Sequence, residues 1–261
     1  MTRQKLNILL TIVITLCIQS ACTNSDATVP AAQIANPETI AAAISEADGL
    51  FRQRADIARL RDAVNTLAKL RNPDQRNFDV EWKFAKYSYF LGQQATDQKE
   101  SEKSFEKGRD AGKLASSIDP NKPDGYFWYA ANLGELSRLN PVTIGIKSVN
   151  DIKGAMNKVL ELKPDYQNSS AYDALAQVEL ETKLIGGSNQ KAVEYLEKAL
   201  QTEKGNADIR LHLAEAYLAV KKDKEARIQI EKVLQMTPDP EYVLEHKEAV
   251  EKAKKMLETK F

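Results

Sequence analysis

His212 and His246 are the only imidazoles in the chain, so any metal or general-base chemistry that needs imidazole would pass through them. They do not share the HExxH spacing that places two ligands on one helical face, and each reads as a packing or surface residue of a helix. "IGGSNQ", with Gly186 and Gly187, has the glycine content of a phosphate-cradling loop but not the GxxxxGK[ST] pattern. A simpler account is a glycine in left-handed conformation ending one helix, followed by Ser188 or Asn189 capping the next. GxGxxG and GxSxG are absent. Carboxylates are interleaved with lysines at helical spacing, as in Lys221 and Glu225, and read as solvated faces rather than as an acid–base pair. These residues give no enzyme, cofactor or metal site.

Thirty-seven basic side chains balance 37 acidic ones, which argues against a nucleic-acid partner, since that affinity comes from a basic face meeting phosphates. With 43% hydrophobic and 28% charged residues over 261 positions, the chain has material for a sizeable core in a soluble globular domain.

At the start, Arg3 and Lys5 precede an apolar run from Leu6 to Ile18 that is too short to span a bilayer comfortably and reads as a signal peptide. The run ends in "IQSAC", which resembles the bacterial lipobox, with small Ser20 and Ala21 before Cys22 and Gln19 where Leu is usual. Ordinary secretory cleavage after Ala27 is the alternative; a cysteine directly after an apolar run and two small residues favours the lipoprotein. On that reading residues 1–21 are removed, Cys22 is lipidated, residues 22–36 form a tether and residues 37–261 form the folded domain. Thr23, rather than Asp, follows the cysteine, and outer-membrane sorting facing the periplasm is expected. Cys17 goes with the leader, so no disulfide can hold the exported fold, and packing must do so.

From Asn36 onward the apolar spacing is helical and strand alternation is missing; the predicted class is all-α. Ala192 and Ala226 are 34 residues apart, the length of a tetratricopeptide repeat, which the chain resembles. Leu213, Ala214, Tyr217, Ala226 and Pro238 fall where that repeat places Leu, a small residue, Tyr, Ala and Pro; Leu175, Ala176, Ala192 and Ala199 repeat the pattern, with Lys204 replacing the proline. Small residues at these places let two helices approach closely. Pro73, Pro120 and Pro164 mark earlier, longer and degenerate repeats. Helix pairs are predicted near 38–72, 77–118, 124–162, 168–202 and 206–236, making a solenoid or bundle closed by a C-terminal capping helix with Val243, Val250, Ala253 and Leu257 on its buried stripe.

Tyr126, Phe127, Trp128 and Tyr129 are consecutive in a chain that is only 7% aromatic, and four adjacent rings on a helix cannot all face one core. The first helix of a solenoid pair touches its partner and both neighbouring repeats and shows its last strip to the concave face, an environment that accepts rings nearly all round. "WKFA" at Trp82 and "WYAA" at Trp128 are in phase. With Ala85 and Ala131 at the small-residue position, Trp82, Tyr89, Trp128 and Asn132 point to the groove, while Phe127 and Ala130 are core.

The lipobox, "YFWYAANLG", "GIKSVNDIKGAMNKVLELKPDY" and "GGSNQKAVEYLEKAL", in this order, resemble the T component of tripartite ATP-independent periplasmic (TRAP) transporters from about residue 38 onward, most strongly over Gly125–Leu200. That resemblance implies an exported lipoprotein that partners with a periplasmic solute-binding protein, as a homo-trimer around a groove suited to a hydrophobic ligand. The other reading is a scaffold lipoprotein that holds another envelope protein and takes no small ligand.

Overall fold

Asparagine and aspartate at the starts of segments fix where the helices begin. Asn36 accepts from the Thr39 N–H at 2.7 Å, Asn77 from Val80 at 3.1 Å, Asp97 from Glu100 at 2.8 Å and Asn206 from Ile209 at 3.2 Å, each satisfying a backbone donor that a first helical turn leaves open. The computed structural model describes residues 36–202, 206–240 and 242–261; Cys22, the leader, almost all of the tether and Lys204 lie outside them. The helices are α1 (Pro37–Phe51), α2 (Ile57–Leu70), α3 (Phe78–Gln94), α4 (Gln98–Ile118), α5 (Pro123–Leu139), α6 (Ile146–Leu162), α7 (Ser170–Glu181), α8 (Asn189–Thr202), α9 (Ala207–Ala219), α10 (Asp223–Gln235) and α11 (Val243–Lys260). Among the described residues there is no strand, and the all-α class holds. Consecutive helices pack as pairs, each pair stacks on the next, and α11 covers α9 and α10. The "IGGSNQ" loop is a helix end followed by a cap: Gly186 has φ +112°, and Ser188 Oγ accepts from the Lys191 N–H at 3.3 Å.

Two apolar clusters share the interior. The first runs from Ala47 to Val178 and contains most of the aromatics; the second runs from Ala176 to Ala253 and is built largely from alanines, leucines and isoleucines. Ala176, Ala192, Ala214 and Ala226 are fully enclosed in the second. Ala131 is not enclosed in this way: it is half-buried and faces the concave side, because glycines carry the close approach between α4 and α5. A Cβ on Gly112 would lie 2.4 Å from the Tyr129 nitrogen, and one on Gly125 would lie 2.3 Å from the Ser116 nitrogen. Both obstacles are backbone and cannot rotate away.

Charges inside this packing are matched. Glu81, almost fully enclosed, meets Arg71 at 2.7 Å and Arg76 at 3.6 Å. Glu179, equally enclosed, accepts from Lys153 Nζ at 2.7 Å and from the Ser188 N–H at 2.9 Å, so the glycine loop gives a backbone donor to a carboxylate of its own chain.

Gly112→Ala should therefore destabilise the fold by about 1–3 kcal/mol through overpacking. Gly154→Ala in the middle of α6, where an added Cβ meets nothing within 4 Å, should stabilise it by up to about 1 kcal/mol by removing helix-interior glycine entropy. Thermal melts of the two variants should move in opposite directions, and equal shifts would contradict the glycine contact.

Candidate partner groove

The first helices α3, α5, α7 and α9, joined by α6, line one concave face, and the start of α11 completes its wall. The space so formed is about 820 Å³. Its floor is apolar. Phe127 and Trp128 from α5 and Ile152 and Met156 from α6 form it, with Tyr89 and Phe90 at the end of α3. Trp128 lies 5.7 Å from Tyr89, 6.1 Å from Phe90 and 5.0 Å from Phe127 between ring centres, all in inclined geometries that suit aromatic quadrupoles.

The wall opposite is ionic. Arg138 donates to Glu181 at 2.8 Å and also to Glu135. Burial raises the Glu135 carboxyl above its usual range, with Arg138 pulling the other way. The Tyr89 hydroxyl is likewise pushed up by burial and by the charge of Glu135. Toward the C-terminus, His212 Nδ1 is 2.7 Å from Asp173 Oδ1. Burial disfavours the imidazolium, but Asp173 outweighs it and the His212 pKa rises to about 9. Asp208, beside this pair, is raised by burial.

The two ends of the repeat array meet at this wall. Arg54, 6% exposed in the turn between α1 and α2, donates Nε and Nη2 to Glu245 of α11 at 2.9–3.0 Å. Its guanidinium also sits 4.9 Å from the Phe51 ring centre and 5.4 Å from that of Phe90. Tyr242 donates to Gln167 at 3.3 Å alongside.

Of the four residues expected at the groove, Tyr89 and Trp128 line it, and Trp82 and Asn132 do not. Trp82 lies near the start of α3, whereas the groove reaches only that helix's C-terminal end; its indole N–H is bound to Asp79 at 3.0 Å, beneath the Lys83 ammonium. Asn132 is 0% exposed and donates to the carbonyls of Ala85 at 3.1 Å and Trp128 at 2.7 Å, filling the space left by Gly108. Trp128 is itself only 3% exposed, and its indole N–H faces the Tyr166 hydroxyl without closing a bond of ordinary geometry. Phe127, expected in the core, is buried and also contributes to the floor. Sequence reading missed Arg54, Glu245 and the Asp173–His212 pair; for Gly108 and Gly112 the four-residue spacing on α4 was an available signal.

Two measurements follow from this geometry. Acrylamide should quench Trp82 emission readily and leave Trp128 protected, so a Trp82→Phe variant should show only the protected component; uniform strong quenching in that variant would remove Trp128 from the interior. His212 should titrate near pH 9 by NMR, above the usual value of about 6.5. A raised folded-state pKa means the pair contributes its full stability below about pH 6.5 and loses it as pH rises through 9. Asp173→Asn should lower the His212 value and flatten stability over that window, and an unshifted His212 in the parent would refute the pairing.

The family model of regulator of microtubule dynamics protein 1-3 matches residues 43–172, and a tetratricopeptide-repeat model matches residues 184–245. The first region coincides closely with the aromatic core cluster, and the second falls within the alanine-rich one. No curated protein matches the chain. Among solved structures, the tetratricopeptide-repeat protein TTC0263 of Thermus thermophilus is 20% identical over 79% of this chain and 98% of its own, with a TM-score of 0.58. PilF of Pseudomonas aeruginosa is 17% identical over 84% of this chain and 90% of its own, with a TM-score of 0.57. These likenesses are of fold. The chain has the fold of tetratricopeptide-like helix pairs, with a tetratricopeptide-repeat region over residues 184–245 and a region over residues 43–172 similar to the regulators of microtubule dynamics.

Proposed function

We propose that the protein is a non-enzymatic scaffold, tethered to the envelope through Cys22, whose concave groove receives a segment of a partner protein. The observation that carries this reading is the groove itself, about 820 Å³ lined mainly by the first helices of successive repeats together with α6 and the start of α11, with an apolar floor and a charged wall. Among the described residues, no group of three or more His, Cys, Asp or Glu side chains is placed to hold a metal ion. The near-complete enclosure of Trp128 favours the scaffold over a receptor with an open aromatic strip.

A second reading is favoured by the floor of Phe127, Trp128, Ile152 and Met156, which suits an apolar ligand. With it goes the role of a TRAP transporter T component, trimeric and docked to a solute-binding protein. That role rests on the sequence resemblance, while the family models match repeat and microtubule-regulator regions.

Two arms test the scaffold. A photo-cross-linking residue at Ala174, in the groove, should join a discrete envelope protein, whereas the same residue at Arg227 on exposed α10 should not. Equal capture from both positions, or none from Ala174, would refute the groove as the docking face. Cys22→Ala should move the protein from the membrane to the soluble fraction; retention of a processed, membrane-bound Cys22→Ala chain would refute the tether.

A further inference from the structure

The charges around the groove are unequal. Carboxylates of Glu135, Asp173, Glu181, Asp208, Asp239, Glu245 and Glu248 line it, against the cations Arg138 and Lys252 and, below about pH 9, the His212 imidazolium. Internal pairing uses some of them: Arg138 serves Glu135 and Glu181, His212 serves Asp173, and Arg54 serves Glu245. Asp208 and Glu248 have no ion-pair partner among the described residues. Burial raises the Asp208 carboxyl; the charges of Asp173 and Glu245 add to that, and those of His212 and Lys252 oppose it.

The chain also shows what this wall accepts. Arg54 places a guanidinium against Phe90 and on both oxygens of Glu245, and Phe90 and Glu245 are both groove residues. A cation on an aromatic face with a carboxylate beyond it is thus already satisfied once, from within. The apolar lining, for its part, includes Ile146 and Ile185, which are exposed to solvent and give the groove an open aliphatic rim.

Resting on the scaffold reading, we infer that the segment the groove takes is a basic, amphipathic stretch of a partner protein. Its apolar side chains enter over the Ile146–Ile185 rim onto the Phe127–Met156 floor, and its lysines or arginines meet Asp208 and Glu248. The available space encloses a few side chains rather than a whole domain. Charge complementarity selects the sign of the guest, and the rim supplies its apolar contact.

Fluorescence anisotropy of the purified full chain with three labelled peptides of about four helical turns, sharing the same leucines and carrying Lys, Ser or Glu between them, tests this. The Lys peptide should bind at least about 10-fold more tightly than the Glu peptide and weaken as salt rises through the range where the screening length falls below about 10 Å. Asp208→Asn with Glu248→Gln should weaken the Lys peptide by about 10-fold at unchanged melting temperature, while Asp223→Asn with Glu231→Gln on the far side of α10 should not. Equal or tighter binding of the Glu or Ser peptide overturns the inference, as does indifference to the Asp208 and Glu248 substitutions. If such binding is still lost in Ala174→Arg, the scaffold reading stands without the charge rule. Displacement of the Lys peptide by spermine alone at matched concentration would reassign the wall to small polycations and also overturn it. Failure of all three peptides to bind overturns it too, leaving cross-linking at Ala174 to decide on the scaffold.

Discussion

The closeness with which helices can approach one another governs the rest of this structure. In the second core the approach is set by alanines with no exposed surface, Ala192, Ala214 and Ala226 among them. In the first it is set by glycines, with the α4 backbone at Gly112 against the α5 backbone at Tyr129 and the α5 backbone at Gly125 against Ser116. Where two backbones nearly touch, the larger side chains of both helices must leave the contact line and pack to either side. On α5 that expulsion produces a helix with rings nearly all round. Phe127 and Trp128 are driven into the interior and form part of the floor of the concave face, while Tyr126 and Tyr129 are half-buried outside its lining. The four consecutive aromatics are thus accommodated by the close approach of α4 and α5 at glycines on both helices.

Much of this was legible along the chain. Caps, helical spacing, the 34-residue interval between Ala192 and Ala226 and the proline stops placed all five pairs and the final helix. What the spacing could not carry was position along a helix axis. Trp82 and Trp128 share a phase relative to the alanines that follow them, yet the groove spans most of α5 and only the end of α3, so equal phase put one ring inside and left the other outside. Asn132 was misplaced for a related reason: a polar residue beside a groove strip is expected to face solvent, and only the missing side chain at Gly108 gives its amide an interior seat. The Arg54–Glu245 pair joins residues 191 apart and depends on how far the repeat array curves, a quantity no local pattern encodes.

That pair also accounts for the shape of the groove. An open solenoid would leave its first and last repeats independent, each with an exposed face. Here a bidentate guanidinium–carboxylate contact, shielded by Phe51 and Phe90, draws the start of α11 to the turn after α1. Geometry this favourable and this little exposed is where an ion pair holds position rather than merely decorating a surface.

The groove crosses the boundary between the two cores. Its floor of Phe127, Trp128, Ile152 and Met156 belongs to the aromatic cluster, which coincides with the microtubule-regulator-like region; its acidic end at Asp208 and its α11 wall belong with the alanine-rich cluster and the standard repeat. Between them stands α7, whose Leu175 packs with the first cluster and whose Ala176 packs with the second. A guest that engages floor and wall together would rest on both, and its binding free energy would be shared with whatever holds the two clusters in register. For the scaffold proposed above, that coupling is the physical means by which an occupied groove can differ from an empty one: the guest adds contacts across α7 that the chain alone does not make.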